Sequence, residues 1–187
     1  MRQRLDDLGV DAHAGFERAQ HLEQGGQARA AAGFQIAQGL LRHAGPVGQA
    51  LALRVDGDKV VFRRCRFLGW QDTIRLETGR QFFERCYISG HVDFIYGGAT
   101  AWFQDCEIHC RDQGYIVAPA TPADRAGFVF ADCRITFPYG NPPTYLGRPW
   151  RESPSATFIR CELGAGIRPE GWKEWNVKPP LVRFAEY

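Results

Sequence analysis

Two aspartates are the residues of this chain best suited to acid–base chemistry. Asp72 lies in the segment GWQDTI and Asp93 lies in the segment GHVDFIYGG. Two carboxylates held close together cannot both ionise freely, so such a pair titrates as a unit. One carboxyl group can then donate a proton while the other attacks a substrate or acts as a base. The alternative interpretation is a structural ladder of aspartates that close turns.

A repeated Phe-x-x-Cys-x-apolar motif supplies the elements that must position these aspartates. Its five copies are FRRCRF (62–67), FERCYI (83–88), FQDCEI (103–108), FADCRI (130–135) and FIRCEL (158–163). Successive cysteines are separated by 21, 20, 27 and 28 residues, and no helical periodicity runs through the units. A period of this length indicates a solenoid of short stacked strands. We therefore predict an all-β fold, a parallel β-helix with coils of about 20–28 residues.

The cysteines are interpreted as a ladder of small buried apolar groups. Five of the six cysteines occupy the repeat, and none forms a Cys-x-x-Cys or Cys/His cluster of the zinc type. Disulfides between neighbouring rungs are the alternative, but ladder geometry does not usually give two sulfurs the required torsions. Cys110 lies outside the ladder and receives no role.

The longer intervals between cysteines predict two loops. Residues 111–127 and 138–155 carry the extra Gly, Pro and polar residues. In a solenoid, insertions gather on one face, which is often the binding face.

The repeat predicts that the two aspartates are neighbours. Asp72 follows Cys65 by seven residues, and Asp93 follows Cys86 by seven residues. If the two coils stack in register, the aspartates occupy equivalent places on adjacent rungs, with side chains on the order of 5 Å apart.

Polar and aromatic residues near the pair are candidates for supporting roles. Gln71 precedes Asp72 directly, and Gln49 lies one rung earlier. Their amide groups could stabilise a developing oxyanion. In the segment YLGRPW, Arg148 could hold an ionised aspartate and Trp150 could stack on a sugar ring. Each residue taken alone is more often a surface or packing residue.

Several motifs, taken in order, resemble those of the pectin methylesterase (pectinesterase) family. They are GQALALR (48–54), QD (71–72), GHVDFIYG (90–97), LGRPW (146–150), GWKEWN (171–176) and FAEY (184–187). The resemblance covers residues 33–187, and it implies a right-handed parallel β-helix. It also implies an enzyme that removes methyl esters from galacturonosyl residues of pectin, releasing methanol, without a metal or other cofactor.

The resemblance also implies a role for individual residues. Asp93 takes the position of the nucleophile, and Asp72 takes that of the acid/base. Gln49 and Gln71 match the oxyanion-stabilising glutamines, and Arg148 matches the arginine that holds the nucleophile.

The substrate-binding positions implied by the resemblance are Trp150, Tyr96 and Val92. The two aromatic residues match positions of the family's sugar groove. Pectin lies outside cells, so the resemblance implies a secreted or periplasmic protein.

Composition excludes some partners. The chain has 187 residues and a net charge of +2, with Lys and Arg scattered along it. This balance gives no electrostatic case for nucleic acid or an anionic membrane. No apolar run approaches the roughly 18 residues of a membrane span. We expect a monomer.

The domain organisation is expected to be a leader, residues 1–32, followed by a partial pectinesterase-like β-helix, residues 33–187. The leader is rich in Ala, Gln and Gly and lacks the apolar segment of a secretory signal. It is expected to be disordered or to form a short helix over residues 15–24. Against the family pattern, the chain is expected to be truncated at both ends.

Three alternatives to pectin demethylation remain open. A close carboxylate pair also suits a retaining glycoside hydrolase. A non-catalytic carbohydrate-binding β-helix is the second alternative. The third is a related enzyme acting on other esters, including thioesters, because a fold does not fix a function.

Overall fold

The computed structural model of the chain describes residues 28–30, 35–36, 39–42, 48–151, 153–175 and 181–187. The helix predicted over residues 15–24 lies outside the described residues. Nowhere in the described part does the chain form a helix long and apolar enough to cross a membrane.

Short β-strands make up the described part of the chain. They are β1 (Ala28–Ala30), β2 (Gln35–Ile36), β3 (Gly39–Arg42), β4 (Leu53–Val55), β5 (Val60–Arg63), β6 (Cys65–Leu68), β7 (Ile74–Leu76), β8 (Arg80–Glu84), β9 (Tyr87–Gly97), β10 (Thr100–Gln104), β11 (Glu107–Pro119), β12 (Phe128–Ala131), β13 (Arg134–Thr136), β14 (Thr144–Gly147), β15 (Ser155–Ile159), β16 (Glu162–Leu163) and β17 (Arg183–Glu186).

Parallel pairing between successive coils builds three faces. The first face is a sheet with the order β17-β15-β12-β10-β8-β5-β2. The second face contains β3, β6, β13 and β16 together with the first halves of β9 and β11. The third contains β1, β4, β7 and β14 together with the second halves of β9 and β11. The predicted parallel β-helix is confirmed.

A tight bend separates the first face from the second. The residue before each repeat cysteine has a left-handed backbone, with φ between 48° and 54°. These five residues are Arg64, Arg85, Asp105, Asp132 and Arg160. A left-handed non-glycine residue is unfavourable, but each of these N–H groups donates to a carbonyl of the next coil at 2.8–3.1 Å. Inter-coil bonding therefore holds the bend.

Two ladders fill the core beside this bend. Phenylalanine rings stack along the axis with centroid separations of 4.4–4.7 Å between successive members, Phe62, Phe83, Phe103, Phe130 and Phe158. Each thiol from Cys86 to Cys161 in the repeat lies 3.4–3.5 Å from a phenylalanine carbonyl of the preceding coil. All six cysteines are free, and only Cys161 is partly exposed. The predicted cysteine ladder is confirmed.

The predicted loop at residues 111–127 is wrong for its first part. Strand β11 continues through Pro119, and the extra residues of this coil are absorbed by register shifts between Cys110 and Val117. Parallel bonding to both β9 and β14 keeps the segment in the sheet despite its glycine and polar residues. The second predicted loop, residues 138–155, also contains a strand, β14.

Candidate active site

The two aspartates occupy equivalent positions at the bend between the second and third faces. Before the bend, Phe67 pairs with Ile88, and after it Ile74 pairs with Ile95, an offset of 21 residues in both cases. The same offset relates Asp72 to Asp93. The predicted register is therefore confirmed.

A left-handed backbone aims both aspartates in the same way. The φ angle is 60° at Asp72 and 48° at Asp93. Aspartate tolerates this conformation better than most residues. The amide of Asp72 donates to the Val92 carbonyl at 3.1 Å, which ties the bend of one coil to the next. The backbone thus positions both aspartates, with a similar conformation on the two adjacent coils.

Arg148 forms a bidentate ion pair with Asp93. Its Nε donates to Oδ1 at 2.9 Å and its Nη2 donates to Oδ2 at 2.5 Å. The Asp93 residue is only 7% exposed, so solvent screens this pair poorly. Such fork-to-fork pairing fixes the orientation of the carboxylate as well as its charge.

The segment that carries Arg148 is anchored on β11. The Arg148 amide donates to the Val117 carbonyl at 3.0 Å, and Gly147 pairs with Val117. A Cβ atom at Gly147 would lie 2.4 Å from Cγ2 and 2.7 Å from the carbonyl oxygen of Val117. Only glycine allows this approach, so Gly147 brings the arginine within reach of a carboxylate on another coil.

Two aromatic rings enclose the Arg148 guanidinium. Its Cζ lies 4.0 Å from the ring centroid of Tyr115 and 3.8 Å from that of Trp175. Contacts of this kind are favourable and are stronger when they are desolvated. The sequence analysis missed both residues as site residues, although Trp175 lies in the quoted segment GWKEWN. The contact between Trp175 and Arg148 depends on how the chain returns to the site after Arg148, and residue spacing in the sequence does not show this return.

Burial and mutual repulsion shift the acidity of the pair. Burial, followed by the charge of Asp93, raises the pKa of Asp72 to about 6. Burial also raises the pKa of Asp93, against the lowering effect of Arg148. Because only Asp93 has the bidentate guanidinium, we assign the negative charge to Asp93 and the retained proton to Asp72.

The two glutamines lie side by side on adjacent rungs. Gln49 and Gln71 form a parallel bridge, and the Ala50 amide donates to the Gln71 carbonyl at 3.3 Å. Val92, 21 residues after Gln71, lies in the equivalent position on the next coil, and it pairs with Tyr115 on the coil after that. Gln49 is exposed and Gln71 is half-buried, so their amides are available to a bound molecule.

An aromatic wall bounds the other side of the pair. Tyr96 and Trp150 meet edge to face with centroids 5.7 Å apart. A hydrogen bond from the Tyr96 side chain acts to lower the pKa of Asp72. Burial and then the charge of Asp72 raise the pKa of Tyr96 to about 12, so this hydroxyl remains a donor. The backbone amide of Trp150 donates to the Pro119 carbonyl at 3.2 Å, which ties the backbone at Trp150 to the end of β11.

The structure thus brings the eight predicted site residues into one region of the solenoid. A protonated carboxyl group, an ionised carboxylate and amide donors are the groups that acyl transfer requires. Among the described residues, no group of three or more His, Cys, Asp or Glu side chains is arranged to hold a metal ion.

Comparisons with known proteins identify similar sequences. The family model for pectinesterase matches residues 20–187. Pectinesterase 31 of Arabidopsis thaliana is 44% identical over 131 residues, covering 69% of this chain and 41% of its own length. Pectinesterase 3 of Phaseolus vulgaris is 41% identical over 152 residues, covering 74% of this chain and 26% of its own length. The chain thus spans less than half the length of these relatives.

Solved structures share the fold. The pectin methylesterase from carrot has a TM-score of 0.73 at 33% identity, covering 86% of this chain and 53% of that chain. The deglycosylated enzyme from Aspergillus niger has a TM-score of 0.74 at 27% identity, covering 86% and 61%. A pectin methylesterase solved in complex with a hexasaccharide has a TM-score of 0.59 at 25% identity, covering 72% and 56%.

Replacing Asp72 with asparagine is expected to stabilise the fold at neutral pH but not at low pH. The pKa of Asp72 is about 6 in the folded protein, against an ordinary value of 3.8. Between these values the unfolded chain releases a proton that the folded protein keeps, so stability falls as pH rises. Urea unfolding should therefore show a gain for Asp72→Asn that is absent below about pH 4 and complete above about pH 6.

The matched control for this measurement is Asp105→Asn. Asp105 is exposed and has the same left-handed backbone, with φ 53°, at a bend between the first and second faces, where its carboxylate and that of Asp132 both accept from the Gln104 side-chain amide. A gain of equal size at pH 4 and pH 8 for Asp72→Asn would contradict the assignment of a raised pKa.

Proposed function

Because this chain belongs to the pectinesterase family, we propose that it hydrolyses methyl esters of galacturonosyl residues in pectin. The observation that carries the proposal is the pair Asp72 and Asp93, in equivalent register, with Arg148 bonded to Asp93 alone. This asymmetry gives one carboxylate a charge and leaves the other a proton. The hexasaccharide complex of a related pectin methylesterase supports an oligosaccharide as the ligand.

In the first step, the ionised Asp93 attacks the ester carbonyl carbon. The carbonyl oxygen becomes an oxyanion, which the side-chain amides of Gln49 and Gln71 stabilise by donating hydrogen bonds. As the tetrahedral intermediate collapses, the C–O bond to the methoxy group breaks and Asp72 gives its proton to the leaving group. Methanol departs and a mixed anhydride joins Asp93 to the galacturonosyl residue.

In the second step, water hydrolyses the anhydride. Asp72, now ionised, takes a proton from the attacking water and thereby returns to its starting state. The oxygen of water bonds to the galacturonosyl carbonyl carbon, and the bond to Asp93 breaks. The products are a galacturonate carboxylate, a proton and methanol, and the carboxylate of Asp93 returns to Arg148.

The aromatic residues are proposed to hold the sugar. Trp150 and Tyr96 present ring faces and edges beside the carboxylate pair, and Val92 lies on the glutamine side. Because pectin is an extracellular polymer, we propose that the protein acts outside the cytoplasm.

Loss of the carboxylates is expected to abolish methanol release from highly methylated pectin. Asp93→Asn removes the nucleophile and should reduce kcat by at least ~10³-fold. Asp72→Asn removes the proton donor and should reduce it by about 10²–10⁴-fold. Asp105→Asn, with the same backbone conformation at a distant bend, should retain full activity.

New reducing ends should be measured in the same samples, because glycoside hydrolysis creates them and ester hydrolysis does not. Reducing ends formed without methanol would overturn the proposal. Polysaccharide binding that survives Asp93→Asn, with no turnover by the parent chain, would instead identify a non-catalytic carbohydrate-binding protein.

The pH profile should report the protonation of Asp72. The proton donor is lost as pH rises, so kcat/KM should fall through about pH 6, the pKa of Asp72. The Tyr96 hydrogen bond favours the ionised form of Asp72. Tyr96→Phe should therefore raise the pKa of Asp72 and move this limb to higher pH. A limb that stays in place or moves to lower pH would contradict the assigned donor.

A further inference from the structure

A groove of mixed charge lies at the bend between the first and second faces, on a different corner of the solenoid from the aspartate pair. We call it the corner groove. Its volume is about 360 Å³, and it crosses successive coils. The residues that define its chemistry are Arg66, Arg85, Tyr87, Asp105, Glu107 and Asp132. None of the eight predicted site residues lines it, so the proposed reaction does not involve it.

Two arginines of the corner groove lack a carboxylate partner. Arg66 and Arg85 are both exposed. Throughout the part of the chain that the structure describes, no carboxylate lies within ion-pair distance of either guanidinium. Arg64, also exposed, occupies the bend position equivalent to Arg85 on the preceding coil. Like charges on neighbouring strands repel, so this end of the groove is suited to an anion that joins the guanidinium groups.

The carboxylates of the corner groove are engaged by other partners. Glu107 accepts from Arg134 at 3.2 Å, and Asp132 accepts from Arg160 with both oxygens at 2.8 Å. Asp105 accepts from a glutamine amide at 2.9 Å. An ionised carboxylate has roughly four lone-pair sites. Asp105 and Glu107 therefore keep the capacity to accept from a hydroxyl group of a bound molecule.

Neighbouring groups hold the arginines of the corner groove in place. The Arg66 Cζ lies 4.1 Å from the ring centroid of Tyr87, and the Tyr87 ring stacks on that of His109 with centroids 5.9 Å apart. His109 is fixed in turn by a 2.9 Å hydrogen bond between its Nδ1 and the Thr136 hydroxyl. The backbone amide of Arg85 donates to a carbonyl of the next coil at 2.9 Å. Such pre-organisation lowers the entropy lost on binding.

We propose that the corner groove binds a uronic acid unit of the polymer that has already lost its ester, at a surface separate from the active site. This inference rests on the proposed function, which supplies the polyuronide. The guanidinium groups of Arg66 and Arg85 match a free carboxylate, whereas a methyl ester offers them no charge. Hydroxyl groups of the same sugar donate to Asp105 and Glu107, a contact that a polyanion without hydroxyls does not make. A sugar acid thus fits a groove that holds both arginines and carboxylates.

Electrophoresis of the full chain in native gels that contain polygalacturonate tests the proposal. The probe carries no ester, so retardation relative to a gel without polymer measures binding whether or not methanol is released from pectin. We expect Arg85→Gln to weaken binding about threefold and the double variant Arg66→Gln/Arg85→Gln about tenfold. Highly methylated pectin should retard the parent chain less than polygalacturonate does.

The matched control is Arg160→Gln. Arg160 is exposed and has the same left-handed backbone as Arg85, with φ 48° against 51°, but its guanidinium is bound to Asp132. The substitution removes the same charge and should leave binding within about twofold of the parent chain. Circular dichroism of every variant verifies folding. The double variant should keep the parent kcat for methanol release, because the corner groove lies away from the aspartate pair.

Two results would overturn the corner groove as a uronide site. One is equal retardation of the parent chain and the double variant by polygalacturonate. The other is retardation of the parent chain by poly-L-glutamate as strong as that by polygalacturonate, which would identify a general cationic surface. Methanol release is measured separately. Its absence, with retardation that still depends on Arg66 and Arg85, would reject the esterase proposal and leave the corner groove standing.

Discussion

Hydrogen bonding between parallel strands of successive coils, in a fixed register, is the constraint on which the rest of this structure depends. Coils that stack at an offset of 21 residues place Asp72 and Asp93 in equivalent positions, without any direct bond between them. The same constraint stacks the phenylalanines and repeats the cysteine contacts. A shift of one residue would turn these side chains to the other side of the sheet, so the core that stabilises the fold also fixes the spacing of the site.

The site departs from this regularity where chemistry requires asymmetry. The two aspartates share a backbone conformation, but Arg148 bonds only to Asp93. Tyr115 and Trp175 each pack against the guanidinium of Arg148. Burial then keeps Asp72 protonated to a higher pH than an exposed aspartate. A carboxyl group held in such a state destabilises the fold, a cost that functional sites commonly carry.

The repeat was sufficient to predict the architecture, because each coil carries its own copy of the short Phe-x-x-Cys-x-apolar motif and the distance between copies gives the coil length. The spacing of Cys65 and Cys86 predicted the coil length, and with it the register of the two aspartates. The course of residues 111–119 was not predictable in this way, since their glycine and polar content favours a loop while bonding to two neighbouring strands keeps them extended.

Contacts between distant coils were the least accessible to sequence reasoning. Trp175 reaches Arg148, and Arg125 and Arg151 line a groove with Arg75, only because the solenoid brings separate coils together. Their local sequence carries no periodic signal. The roles given to Gln49 and Gln71 come from the family resemblance, and the structure adds that the two residues lie on adjacent rungs.

The central claim is that burial, together with the charge of the neighbouring Asp93, raises the pKa of Asp72. Its most direct test is a pH titration of the aspartate carboxyl carbons by NMR, in the parent chain and in Asp93→Asn. We predict that Asp72 titrates near pH 6 in the parent chain and that its pKa moves towards the ordinary value of 3.8 when the neighbouring charge is removed. An Asp72 that titrates near pH 4 in both proteins, or near pH 6 in both, would contradict the account.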